Sequence, residues 1–241
     1  MSHPTTIPRH AAKSSPSAQP PGWAPAAPTT LLLTALGVLM VGQMYTVLAL
    51  LHPMATALGT TPEQATWTAT AFGFAYAAGF LVSGPLSDRY GPRAVITAGL
   101  VAATVSTAAV SAAPTLPTAI ALRSLQGLTA ATFAPSALSY VVHHIGPQRR
   151  GTALTCVTSG MLAAAVVMQT GAQAVSAGLG WRAVFWGGAA LMALSLIPVR
   201  RVLRPTPRHG TGGGLLQAFA AMPRLLRRPR LSAVYLCPPS P

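Results

Sequence analysis

Acidic side chains are nearly absent from this sequence: Glu63 and Asp88 are the only two, and they stand against 16 Lys and Arg. Charged residues of both signs make up only 7% of the 241 residues. An ordinary soluble domain has roughly 25%. So few charges cannot cover a water-exposed surface, and 51% of the residues are hydrophobic. This scarcity of charge excludes an ordinary soluble globule.

The formal charge of +14 would by itself suggest a nucleic-acid-binding protein. Such a protein needs a basic face on a soluble fold. Here the basic residues lie in short clusters between long apolar runs, which is the pattern of loops in a membrane protein. We therefore expect the lipid bilayer, and no nucleic acid, as the partner of this chain.

Cysteines are also scarce. Cys156 lies in an apolar run and Cys237 near the end, so the sequence offers neither a disulfide framework nor the spacing of a metal site. We expect no metal and no bound cofactor.

Apolar segments of about 20 residues follow one another along the chain. They cover residues 30–51, 65–86, 94–113, 117–142, 151–175 and 183–199. At 1.5 Å per residue, each helix would cross a hydrocarbon core about 30 Å thick. The sequence therefore predicts an all-α membrane protein with a six-helix transmembrane bundle over residues 30–200, in which short connections make consecutive helices antiparallel neighbours.

Composition also predicts where these segments lie within the bundle. The second, third and fifth are rich in Ala, Gly, Ser and Thr, which favours close packing in the interior. The first and sixth are richer in large apolar residues, and we expect them to show more surface to lipid.

The regions outside the bundle differ from it in composition. Residues 1–29 contain seven prolines, which predicts a disordered cytoplasmic tail. Residues 201–230 are predicted to form a basic cytoplasmic loop. Residues 231–241 look like an aborted seventh span, because residues 231–236 are apolar but too few to cross a bilayer.

The basic residues predict an orientation. Of the 16 Lys and Arg, 14 lie in the tail, in two of the connections or after the sixth segment, all on one side of the predicted bundle. Arg182 lies on the other side and Arg123 within the fourth segment. The positive-inside rule then predicts a multi-pass protein of the plasma (inner) membrane with both termini in the cytoplasm.

The connection between the second and third segments carries a motif of charged residues and glycines. We expect a tight hairpin here, because Gly91 can adopt a positive φ and Pro92 suits the first turn of a new helix. Taken alone, this is a basic loop with one acid that water solvates. The motif reads G-x-L-x-D-R-x-G-x-R, and its members are Gly84, Leu86, Asp88, Arg89, Gly91 and Arg93.

This motif resembles the loop signature between the second and third helices of the major facilitator superfamily. The stretch Arg123-Ser124-Leu125-Gln126-Gly127 is similar to the R-x-x-Q-G signature in the fourth helix of its drug:proton antiporter branch. Gly180-Trp181-Arg182, followed by Phe185, is similar to the loop before the sixth helix. Each pattern stands at its expected place, and the resemblance covers residues 30–230.

The resemblance implies the N-terminal, six-helix half of a twelve-helix secondary transporter that exports small molecules by alternating access. It implies an ion gradient as the driving force, with protons as a candidate, and a second six-helix half as a partner. Asp88 and Arg89 would then belong to a cytoplasmic latch. The fifth segment lacks the Gly-Pro pair of the antiporter signature, and the first has no carboxylate. Substrate, coupling ion and direction therefore stay open.

The end of the chain allows more than one interpretation. The simplest is the front half of a transporter whose reading frame ended early, which would insert into the membrane without transporting. The alternative is a half that pairs with itself or with another chain.

Arg123 is the one basic residue inside a predicted span. A cation there costs about 2.5–3.5 kcal/mol on insertion scales unless it meets water or a partner, so its side chain should face the bundle interior. It could serve substrate or proton coupling, or it could be a structural arginine bonded to backbone carbonyls. Gln126 lies three residues further on and shares its face of the helix.

Other polar residues of the spans extend this set of candidates. Each could contact substrate or simply bond a neighbouring helix. The substrate or coupling candidates are Arg123, Gln126, Gln43, Tyr45 and Gln169, with Tyr76 and Gln173 as further polar residues of the spans.

An intramembrane enzyme is the remaining class. A serine protease would need a nucleophile and a histidine at one depth. His143 and His144 lie at a predicted span end, and no G-x-S-G pattern occurs. We therefore expect a transporter and not an enzyme.

Overall fold

A computed structural model describes residues 23–205, and most of these are helical. The predicted tail before residue 23, the basic loop beyond residue 205 and the predicted seventh span lie outside the described residues. A 3₁₀ turn, Val47–Leu50, joins the first two helices. The described α-helices are α1 (Ala26–Thr46), α2 (Leu51–Leu58), α3 (Pro62–Tyr90), α4 (Pro92–Ser111), α5 (Leu116–Ala130), α6 (Phe133–His144), α7 (Pro147–Leu179) and α8 (Trp181–Val202).

These helices make six crossings, as predicted, and residues 23–205 contain no strand. Five crossings are single segments long and apolar enough to span a membrane: Ala26–Leu58, Pro62–Tyr90, Pro92–Ser111, Pro147–Leu179 and Trp181–Val202. The fourth crossing consists of α5 and α6 in succession. The fold is that of an all-α membrane protein.

The first crossing begins earlier than predicted. Helix α1 starts at Ala26, inside the segment assigned to the tail. Pro28 does not prevent this, because the first turn of a helix has no partners for its backbone N–H groups.

The two ends of the described chain lie at the same end of the bundle. The Ala24 amide donates a 2.9 Å hydrogen bond to the carbonyl of His144, and the Arg204 amide donates one of 2.8 Å to the hydroxyl of Tyr140. We call this end the arginine-rich end, because Arg89, Arg93, Arg149, Arg150, Arg200, Arg201 and Arg204 lie there.

The packing pattern corrects the expectation that consecutive crossings are the main neighbours. The most extensive contacts join α1 to α7, α3 to α5, and α4 to α8, whereas α3 and α4 touch far less. The first two pairs run parallel and the third antiparallel. Short connections fix the direction of each helix, but its side-chain surface decides which helix it packs against.

Glycines explain two of these pairs. A Cβ added at Gly127 of α5 would overlap the carbonyl oxygen of Phe72 in α3. A Cβ at Gly160 of α7 would lie 2.6 Å from Cγ2 of Thr34 in α1. The backbones approach this closely because no side chain separates them.

The fourth crossing, predicted as one helix, is interrupted at Ala131 and Thr132. Pro135 explains the break, because its ring nitrogen has no proton to donate to the carbonyl of Ala131, four residues earlier. The hydroxyl of Ser83 on α3 shares its one proton between that carbonyl, at 3.3 Å, and the carbonyl of Phe80 in its own helix, at 2.9 Å. A neighbouring helix thus satisfies the backbone group that proline leaves free.

The buried surface corrects the expected division between interior and lipid-facing helices. The crossings differ in the share of buried residues in their most apolar 18-residue stretch. This share is only 17% in α3 and 22% in α7, against 50% in α4 and 44% in the first crossing. The prediction was right for α4 and wrong for α3, α7 and the first crossing, while α8 is intermediate, with 33% of its most apolar stretch buried. The small residues of α3 and α7 pack on one face only, while the opposite faces expose Trp67, Phe74, Leu162 and Val166.

Candidate functional site

Arg123 on α5 is the largest fully buried side chain in the described part of the protein, with an exposed fraction of 0%. Its Nη1 donates to Oε1 of Gln126 at 2.6 Å. Both Nη1 and Nη2 donate to the backbone carbonyl of Gln43 on α1, each at 3.2 Å. The side chain faces the bundle interior, where a cation inside a span was expected.

Gln126 carries the hydrogen bonds onward to other helices. Its Nε2 donates to Oε1 of Gln43 at 2.9 Å and to Oγ1 of Thr107 on α4 at 2.8 Å. The Thr107 hydroxyl in turn lies 3.8 Å from Sδ of Met192 on α8. We call Gln43, Thr107, Arg123 and Gln126 the polar network, which joins α1, α4 and α5 and reaches α8.

Aromatic rings complete the surroundings of the guanidinium. Its Cζ lies 4.3 Å from the ring centroid of Phe72 and 5.9 Å from that of Phe185. Ring faces attract a cation most strongly where water is excluded. The two rings thus stabilise a charge that no carboxylate of residues 23–205 reaches, because Glu63 and Asp88 lie at opposite ends of α3.

One donor of the arginine stays unused. Nε of Arg123 is buried and has no hydrogen-bond partner among the described residues. Its other donors bond to the backbone carbonyl of Gln43 and to the side-chain amide of Gln126. These contacts are the ones expected of a structural arginine. A role in coupling stays a prediction.

The other candidates lie apart from the polar network. Tyr45 and Gln169 are half-buried and Gln173 is exposed, and none of them bonds to the network within residues 23–205. Tyr76 stacks on Phe72, with ring centroids 5.9 Å apart, and so stands next to the ring that covers Arg123.

Two members of the site are absent from the sequence-based set. Thr107 is one of many hydroxyl residues in the third crossing, and Phe72 is an ordinary apolar residue of the second. Their roles arise from contacts with α5, which the sequence of their own helices does not indicate.

The predicted hairpin over residues 84–93 is shorter in the structure. Helix α3 continues through the motif to Tyr90, with Pro85 inside it, and Gly91 alone makes the turn with φ of 82°. Helix α4 then begins at Pro92, as predicted. The motif is therefore mostly helical, because a single positive-φ glycine is enough to end one helix and start the next.

The charged residues of this motif face different surroundings. Asp88 and Arg89 are exposed, and Asp88 makes no ion pair with any residue in 23–205. The Arg89 guanidinium lies 5.4 Å from the Tyr90 ring centroid. Nη2 of Arg93 donates a 3.0 Å hydrogen bond to the carbonyl of Arg200, so it ties the start of α4 to the end of α8. The latch role of the motif stays a prediction.

The third motif closes the opposite end of the bundle. Gly180 turns the chain with φ of 80°. The Arg182 side chain donates through Nε to the carbonyl of Ser111 at 3.1 Å and through Nη2 to that of Ala113 at 3.2 Å. Ser111 is the last residue of α4 and Ala113 follows it two residues later, so Arg182 caps the end of this helix.

Comparison with known families decides which family this bundle represents. The sequence model described as Major Facilitator Superfamily matches residues 31–238. The chain belongs to the major facilitator superfamily.

Curated members of the superfamily are similar in sequence. The chain is 28% identical to the tetracenomycin C resistance and export protein of Streptomyces glaucescens, over 80% of this chain and 37% of the relative. It is 29% identical to the major facilitator superfamily multidrug transporter mfsC of Aspergillus fumigatus, over 69% of this chain and 32% of the relative. The chain thus spans about a third of the length of these two relatives.

Solved superfamily-type transporters share the fold. The crystal structure of the peptide transporter POT superposes with a TM-score of 0.65 at 18% identity, over 87% of this chain and 46% of that one. The six crossings therefore form one half of a major facilitator superfamily fold, and the chain is a multi-pass membrane protein of a transporter family.

Proposed function

We propose that this major facilitator superfamily chain supplies one six-helix half of a secondary active transporter that exports small molecules by alternating access. The functions of its relatives, export of tetracenomycin C and multidrug transport, support the proposal. The partner is a second six-helix half. Substrate moves when the two halves rock against each other around a site between them.

The polar network is the observation that carries the proposal. Hydrogen bonds between Arg123, Gln126, Gln43 and Thr107 hold three crossings together at the bundle interior. Helices α3 and α7 meanwhile keep apolar faces that residues 23–205 leave uncovered. A half that moves as a rigid body needs such internal bonds, and a half that shares a cavity needs free faces.

The resemblance of residues 123–127 to the signature of the drug:proton antiporter branch supports protons as the coupling ion. Within residues 23–205 no carboxylate lies in the interior of a crossing, so this half offers no acid there to take up a proton. We propose that a proton gradient drives transport and that the acid that takes up the proton belongs to the second half. The role of Arg123 is then to fix the shape of this half through its hydrogen bonds to Gln126 and to the Gln43 carbonyl.

The arginine-rich end is proposed to face the cytoplasm of the plasma (inner) membrane. Seven described arginines lie there and Arg182 alone lies at the opposite end. By the positive-inside rule this asymmetry supports a cytoplasmic location for both termini.

Transport in inside-out vesicles tests the proposal. We would measure uptake of a fluorescent drug by vesicles with the full chain alone, and by vesicles that also contain the part of the S. glaucescens relative beyond the matched region. We expect uptake that depends on an imposed proton gradient in the second preparation only, since the cavity is shared. Uptake that ignores the gradient, or none in either preparation, would contradict the proposal.

A further inference from the structure

A groove of about 890 Å³ opens at the arginine-rich end, between the start of α4 and the end of α8. Its rim carries two arginines and a tyrosine, and its wall is made mainly of small residues. The lining residues are Tyr90, Arg93, Ala94, Thr97, Ala98, Val101, Ala102, Arg200 and Pro205.

The wall of the groove follows one face of α4. Spacings of three or four residues put side chains on the same face of a helix. The wall follows this spacing from Ala94 to Ala98 and then to Val101 and Ala102. From Ala94 to Ala102 the wall is about 12 Å long. A groove lined by small apolar side chains on the outside of a membrane-embedded bundle has room for a lipid acyl chain.

The rim of the groove is positively charged, in contrast to its apolar wall. Nη2 of Arg93 bonds to the carbonyl of Arg200, but its other donors have no partner within residues 23–205. The Arg200 side chain is exposed and makes no hydrogen bond to a described residue. Neither Glu63 nor Asp88 lines the groove. Two guanidinium groups are therefore available to an anion at the mouth of an apolar channel.

This combination matches an anionic phospholipid. Arginine binds phosphate oxygens through several parallel N–H groups. Basic pockets between transmembrane helices on the cytoplasmic side bind anionic head groups. We propose that the groove binds one anionic phospholipid, with its phosphate between Arg93 and Arg200 and an acyl chain along Ala94 to Ala102. This site does not depend on the proposed transport activity, and it rests on the proposed cytoplasmic orientation of the arginine-rich end.

A second groove of the bundle supplies an internal comparison. It has a volume of about 540 Å³, lies between α1 and α7, and has one arginine, Arg149, in its lining. One guanidinium cannot hold a phosphate from two sides. Arg149→Gln therefore serves as the control, because it removes one positive charge from the same end of the bundle and leaves the first groove intact.

Native mass spectrometry of the purified full chain tests the proposal. The protein is incubated with dioleoyl phosphatidylglycerol or dioleoyl phosphatidylcholine, which have the same acyl chains and differ in net charge. We expect the wild-type chain to retain phosphatidylglycerol more strongly. Arg200→Gln should lower that retention about fivefold, the effect of one arginine near an anionic head group, and Arg149→Gln should not. Ala98→Trp places a large ring in the middle of the apolar wall and should lower retention of both lipids.

The controls separate this site from general charge attraction. Equal retention of the two lipids, or an equal loss in Arg149→Gln and Arg200→Gln, would overturn the proposal. So would competition by soluble glycerol phosphate at the concentration of the lipid, because the acyl chain would then contribute nothing. Unfolding temperatures in detergent establish that each variant is folded. If the Ala98→Trp variant is not folded, the comparison of Arg200→Gln with Arg149→Gln tests the proposal.

Discussion

Arg123 is the residue whose replacement should affect this bundle most. Arg123→Lys keeps the charge, but an ammonium cannot reach the carbonyl of Gln43 and Oε1 of Gln126 with the geometry of a planar guanidinium, and it stacks less well on Phe72. We expect the free energy of unfolding to fall by about 1–3 kcal/mol, the cost of leaving a buried acceptor unpaired. Denaturant titration in mixed micelles measures it.

Ser124→Ala is the matched control for this change. The Ser124 hydroxyl bonds only to the carbonyl of Ile120 in its own helix, at 3.0 Å, so its loss should have little effect. An Arg123→Lys variant as stable as the wild type would refute the structural part of the argument. A variant that is folded but inactive in the vesicle assay would favour the coupling interpretation.

At this scale the sequence predicts about half of the site. Arg123 and Gln126 share a face because three residues separate them, and a buried charge must face the interior. Gln43 is recognisable as a polar residue in a span. The sequence does not reveal that the backbone carbonyl of Gln43 is an acceptor, or that Thr107 and Phe72 belong to the site. These contacts depend on which helices pack together and at what depth.

The broken fourth crossing provides a prediction at the scale of the element. Ser83→Ala removes the side-chain donor to the Ala131 carbonyl, which Pro135 leaves without its helical partner. We expect a loss of about 0.6 kcal/mol, the average for hydrogen bonds between membrane helices, because the hydroxyl proton is shared with the carbonyl of Phe80. In a Pro135→Ala background the loss should be smaller, because the restored N–H of residue 135 can satisfy that carbonyl.

A double-mutant cycle on unfolding free energies tests this coupling. Ser195→Ala is the control, since the Ser195 hydroxyl bonds only to the carbonyl of Leu191 in its own helix, at 2.7 Å. Additive effects of Ser83→Ala and Pro135→Ala would mean that the serine does not compensate for the proline.

The helices themselves illustrate which features a pattern of residues can predict. All six crossings are recognisable from length and hydropathy, and the Gly91 turn and the Pro92 start follow from residue type. The interruption near Pro135 was visible in the sequence but was not predicted. The exposure of α3 and α7 could not be read from their small residues, because such residues allow close packing without saying how much of the helix is covered.

The asymmetry of charge gives a prediction for the whole molecule. In a Cys156→Ser, Cys237→Ser background, Asp88→Cys should react with a membrane-impermeant maleimide only after the cells are opened. Glu63→Cys, at the other end of α3, should react in intact cells. The physical reason is the preference of arginine-rich loops for the cytoplasm. The reverse pattern of labelling would show that the proposed orientation is wrong.

The contact between α1 and α7 can form only after the ribosome has synthesised the residues between these two helices. About 100 residues separate the end of α1 at Thr46 from the start of α7 at Pro147, and α1 packs against α7 more extensively than against any other described element. At roughly 5–20 residues per second, a ribosome needs about 5–20 s to synthesise that interval. During this delay the side of α1 that carries Gly37 and Gly42, which contacts Met161 and Met168 of α7 in the folded bundle, lacks its main neighbour. The nascent chain therefore passes through a stage in which α1 is already made but lacks its native contact with α7.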